Sequence, residues 1–124
     1  MEKYPIFELE IGKKETTFQS VDEIIAHLKS RIDAHPVVAY IGTFDHHAHT
    51  LGLPGGEVAP NILAAKLIVF CFGVKLPNPH VLAVRPRSIG VADLGDKFVV
   101  NFMEPPMQVA TQAMEAWTKE LRNA

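Results

Sequence analysis

The sequence predicts an α+β fold: a two-layer sandwich in which a mixed, mainly antiparallel sheet carries its helices on one face. Three observations predict it. Strand-like and helix-like segments alternate along the chain, two strands near the C-terminus are joined by a hairpin signal, and the two longest helical segments each have one apolar side that must lie on something.

The elements follow in order. Ile6–Ile11 mixes apolar and acidic residues and reads as a strand, with Gly12-Lys13-Lys14 as a turn. Ser20 followed three residues later by Glu23 is a capping box that starts a helix. Val21, Ile24, Ile25, Leu28 and Ile32 recur at steps of three and four and form its apolar face. Pro36 biases His35 away from helical geometry and ends it. Val37–Phe44 is short, β-branched and nearly all apolar, which predicts a strand covered on both faces or nearly so. A polar stretch, Asp45–Thr50, and a loop, Gly52–Gly56, come next. Pro60–Ala65 reads as a brief helical turn with Pro60 near its first position. Leu67–Phe72 is an apolar strand, broken by Gly73 and by Leu76-Pro77-Asn78-Pro79; His80–Val84 is a short apolar stretch of either type. Ser88–Ala92 and Lys97–Phe102 are two strands joined through Asp93-Leu94-Gly95-Asp96, a hairpin. Pro105-Pro106 opens a last helix, lined on one side by Val109, Ala110, Ala113, Met114, Trp117 and Leu121. Neither repeats nor linkers interrupt the pattern, so residues 1–124 read as one domain.

Composition narrows the function classes. Twelve basic against 14 acidic residues give a net charge of −2, and no basic face that would suit nucleic acid. The single cysteine, Cys71, excludes an internal disulfide and with it a stapled secreted domain. Met1–Pro5 lacks the basic-then-apolar pattern of a signal peptide. The longest apolar run, Leu67–Val74, has eight residues, against the ~20 that span a bilayer. The expectation is a cytoplasmic protein with no membrane and no nucleic-acid partner.

Asp45-His46-His47-Ala48-His49 is the densest group of chemically capable residues. Imidazole and carboxylate together suit zinc or iron. If the strand runs on through them, Asp45, His47 and His49 project from one face as metal ligands and His46 from the other. A structural site needs four protein ligands, and no Cys-x-x-Cys or His-x-x-x-His completes the set. The plainer reading is a polar strand end with hydrogen-bonded histidines. Cys71, between Phe70 and Phe72, reads as a small buried hydrophobe, or as a thiol facing a pocket that a histidine of residues 46–49 reaches. Arg85 and Arg87 flank Pro86; two guanidiniums spaced this way can hold a carboxylate or phosphate by forked hydrogen bonds, or stand as solvated cations. Gly52–Gly56 is not a phosphate loop, because no Lys-Ser/Thr follows.

Phe44-Asp45-His46, Pro60, Phe70-Cys71-Phe72-Gly73, Asn78-Pro79, Ile89-Gly90-Val91 and Asn101 together resemble the pattern of an uncharacterised bacterial family, domain of unknown function 302, or of a sister family of unknown function. The similarity spans roughly residues 20–102; His47, His49, Arg85-Pro86-Arg87 and the C-terminal helix with Trp117 depart from it. The resemblance implies a two-layer α/β fold that dimerises, with no known activity. A sheet bare on one face also favours a homodimer. The resulting expectation is a dimeric small-ligand-binding or regulatory domain, its pocket a polar edge of Asp45, His46, Arg85 and Arg87 that takes a small anion. The alternatives are a metal- or thiol-dependent enzyme using His47, His49 and Cys71, and a structural partner-binding protein.

Overall fold

The computed structural model describes residues 5–73 and 75–123. The reading of residues 1–4 as no signal peptide, and the last residue of the apolar run, Val74, lie outside the described residues. Ten elements follow one another among the described residues: β1 (Ile6–Gly12), a 3₁₀ turn (Lys13–Glu15), α1 (Val21–Ala34), β2 (Val38–Asp45), α2 (His46–Leu51), β3 (Ala64–Phe72), a second 3₁₀ turn (Pro79–Val84), β4 (Arg87–Asp93), β5 (Lys97–Met103) and α3 (Gln108–Lys119). Among the described residues the strands form one antiparallel sheet in the order β1-β5-β4-β3-β2. The α+β class follows, with every neighbouring pair antiparallel.

Strand alternation divides the sheet into two faces. Ile11, Ile68, Phe70, Ile89, Val91, Phe98 and Val100 are buried on one of them. Against that face pack Ile24, Leu28 and Ile32 of α1, with Met114, Trp117 and Leu121 from α3 and its end. Trp117 stacks on Phe72 at 6.1 Å between ring centroids. Ser20 caps α1 by accepting from the Glu23 amide at 3.1 Å. The Glu23 carboxylate reaches back one residue further than the motif implies, to the Gln19 amide at 2.9 Å. The β4–β5 hairpin turns at Gly95, whose φ of +96° lies where only glycine is unstrained. The Asp93 carboxylate accepts from the Gly95 amide at 2.8 Å.

Three local expectations are corrected. Of the helical turn expected over Pro60–Ala65 only a single hydrogen-bonded turn forms, Ile62 N–H donating to Ala59 O at 3.0 Å; Ala64 and Ala65 pair with Asp93 and Ala92 as the start of β3, so ladder hydrogen bonds override alanine's helix propensity. The apolar strand β2 is not covered on both faces; it is an edge strand, bulged between Tyr40 and Gly42, with Ile41 and Phe44 exposed. Val109 does not face the sheet but is 65% exposed, because the buried stripe of α3 runs through Ala110, Met114 and Trp117. No helix among the described residues is long and apolar enough to cross a membrane.

Candidate functional site

The histidine cluster folds differently from a strand end. The Asp45 carboxylate accepts from the Ala48 amide at 2.9 Å and caps α2, which Gly52 closes seven residues later. The period therefore changes from two to 3.6, and the faces are reassigned. His46 and His49 come together, ring centroids 6.0 Å apart, with Phe44 beside both. The His46 ring nitrogen Nδ1 pairs with the Thr50 hydroxyl at 2.9 Å. Asp45 instead faces Lys66, whose ammonium lies 4.0 Å from it and 2.6 Å from Asp22 on α1. The straight strand that would have aligned Asp45, His47 and His49 is absent, and among the described residues no three His, Cys, Asp or Glu side chains stand close enough to share an ion. An aspartate followed three residues later by alanine and seven later by glycine was the overlooked helix signal.

Cys71 does lie opposite in direction to Phe70 and Phe72, half-buried on the sheet's open face. It pairs with Ala39, whereas the histidines begin after Asp45, six residues further along β2. At ~3.3 Å per residue the cluster therefore begins about 20 Å along the strand from the position opposite the thiol.

The polar edge of Asp45, His46, Arg85 and Arg87 is also split. Arg87 pairs with Phe70 of β3 and Asp45 with Lys66, so the two ends lie about 13 Å apart along the strand and two strands apart across the sheet. The arginines gather with other residues. Together with Phe72, Val81, Val84, Pro105, Met107 and Ala110 they line a recess of about 70 Å³ between the second 3₁₀ turn, the end of β3 and the start of α3. Apart from the two guanidiniums, the side chains around it carry no charge.

Both arginines are anchored by backbone carbonyls. Arg85 Nη1 donates to Lys75 O at 2.7 Å. Arg87 donates through Nη1 to Val84 O at 3.1 Å and through Nη2 to Met103 O. Among the described residues neither guanidinium has a carboxylate within ion-pair distance, although most other exposed cations on the helices and strands do. Burial lowers the pKa of Arg87, the mark of a cation that has lost water without gaining an anion. It stays charged at neutral pH. The arrangement is two arginines bordering an apolar recess, and the sequence offered only that pair: the rest of the lining comes from segments more than 30 residues apart.

The second surface is the sheet's open face. Leu67, Gly90 and Asn101 sit at its centre, flanked by Glu8, Met103 and Val99. Gly90 makes a groove there, since a Cβ on it would come within 3.2 Å of the Asn101 side chain. Asn101 donates to Glu8 at 3.2 Å, and His46 stands at one end of the groove.

The family whose model matches the chain, over residues 1–123, is described as a family of unknown function, DUF6858. This corrects the resemblance to domain of unknown function 302: an uncharacterised family is right, but a different one, and its match runs through the C-terminal helix that the resemblance left out. No curated protein matches the chain.

Proposed function

We propose that this chain, which belongs to the family of unknown function DUF6858, is a homodimeric domain that binds a small anionic ligand at Arg85 and Arg87. One observation carries the reading: two arginines whose guanidiniums have no carboxylate partner among the described residues border an apolar recess. A partly desolvated cation gains most from an anion, because charge-assisted hydrogen bonds strengthen where water is scarce. Arg87 spends two of its five N–H donors on carbonyls and Arg85 one, so both keep donors for a ligand. Asp45 and His46 play no part in this site, and the histidines of the enzyme reading begin about 20 Å along the strand from the position opposite its thiol.

The open sheet face supports the dimer. Five strands at ~4.8 Å spacing and about 25 Å long give a surface of roughly 600 Å², most of the ~800 Å² per partner of a standard interface. Leu67 projects beside the Gly90 groove on that face, a knob next to a hole, as a two-fold interface requires.

Thermal-shift screening of small carboxylates and phosphates at fixed ionic strength tests the binding reading. An anion that raises the melting temperature of the wild type and not of Arg85→Gln is the expected result. If every anion acts equally on both proteins, Arg85 is not part of a site and the reading fails.

A further inference from the structure

We infer that the ligand class is a short-chain monocarboxylate of about five to seven carbons, its carboxylate between Arg85 and Arg87 and its alkyl tail in the adjoining recess. The inference rests on the anion-binding reading above and narrows it by size, wall chemistry and charge.

Size comes from the recess. A water-sized group needs about 10–15 Å³ of such space, so 70 Å³, which both arginines border, seats roughly five to seven groups, the carboxylate counted as one. That is a short alkyl chain, and too little for a nucleotide or a long fatty acid. Wall chemistry comes from Phe72, Val81, Val84, Pro105 and Met107, which present carbon. Polar atoms placed against them would lose water and gain nothing. The buried part of the ligand is therefore hydrocarbon, and each methylene taken from water strengthens binding.

Charge comes from the two arginines. Two forked guanidiniums match the planar, two-oxygen carboxylate. A phosphate carries two further oxygens or hydroxyls, and one side of the site is carbon. An amino acid of the same length fits worse: its ammonium would lie beside two guanidiniums, with no carboxylate among the lining residues to receive it. A neutral alcohol fills the recess and leaves the guanidinium donors to water.

Isothermal titration calorimetry at constant ionic strength and neutral pH, with pentanoate as the probe, tests this directly. Pentanoate should bind saturably at millimolar concentration or below, while norvaline, 1-pentanol and inorganic phosphate bind at least about tenfold more weakly. Arg85→Gln, which gives up only one hydrogen bond to Lys75 O, should weaken pentanoate about tenfold or more. Val81→Trp, which fills the recess and leaves both arginines in place, should abolish pentanoate binding; far-UV circular dichroism confirms that both variants fold. Pentanoate binding unchanged in both variants overturns the assignment. Saturable binding of phosphate without pentanoate overturns the ligand class and leaves the anion-binding reading standing. If neither anion binds the wild type, both fall together.

Discussion

Replacing Arg87 with methionine separates what this residue does for the fold from what it does for a ligand. The methionine keeps much of the apolar stem and removes the guanidinium, and with it the hydrogen bonds to Val84 O and Met103 O. Those bonds tie the second 3₁₀ turn to the end of β5, so they hold the mouth of the recess in shape. Each is worth about 1 kcal/mol where water can replace it. The substitution also returns the cost of keeping a cation partly desolvated, which burial makes real here. The net loss is about 1–2 kcal/mol. For 124 residues the unfolding entropy is roughly 0.26 kcal/mol/K, so the melting temperature should fall by about 6 °C. Differential scanning calorimetry of Arg87→Met against wild type and Arg85→Gln reads this, with Arg85→Gln shifted by less than half as much. A melting temperature for Arg87→Met within about 1 °C of wild type would show that the two carbonyl contacts carry no load and that the mouth of the recess is held some other way.

Three further outcomes are expected. Ser20→Ala should lower stability by about 1 kcal/mol in a urea titration, because the Glu23 amide loses its cap; an unchanged midpoint would deny the cap its role. Leu67→Glu, at the centre of the open face, should convert a dimer of twice 13.7 kDa into a monomer by light scattering; a monomeric wild type, or a dimer that survives the change, removes this face as the interface. Glu120 has its pKa lowered: burial pushes it up, but hydrogen bonds from His27 and Arg31 outweigh that. Its stabilising contribution is therefore present above the reference value of about 4.3 and is lost as the pH falls through the lower folded value. With the side chain 40% exposed, the effect amounts to a few tenths of a kcal/mol, read as a flatter acid limb in Glu120→Gln; identical acid limbs would contradict it.

Local pattern determined most of the fold. The Ser20 cap and the i, i+3, i+4 spacing of Ile24, Leu28 and Ile32 specify α1 without reference to the rest of the chain, and Asp93-Leu94-Gly95-Asp96 specifies the hairpin because one residue there needs a positive φ. Where two local readings competed, the weaker clue lost. Residues 46–49 looked like a strand end because an apolar strand precedes them, yet the Asp45 cap and Gly52 make α2. Ala64 and Ala65 looked helical until β4 paired with them.

The site was legible only in fragments, for a geometric reason. Arg85 and Arg87 announce themselves as a pair two residues apart, but what they are a pair for depends on Phe72 from a neighbouring strand and on Met107 and Ala110 from the start of α3. Period and propensity act over one to four residues, whereas a recess is made by segments that only sheet order brings together. Local pattern alone was enough for α1 with its buried stripe, the apolar strand β3, the hairpin and the cationic pair. Tertiary structure alone decided that β2 is an edge, that Asp45 and Arg87 lie at different ends of the sheet, and that the arginines border carbon rather than carboxylate, because each of these depends on which strands are neighbours.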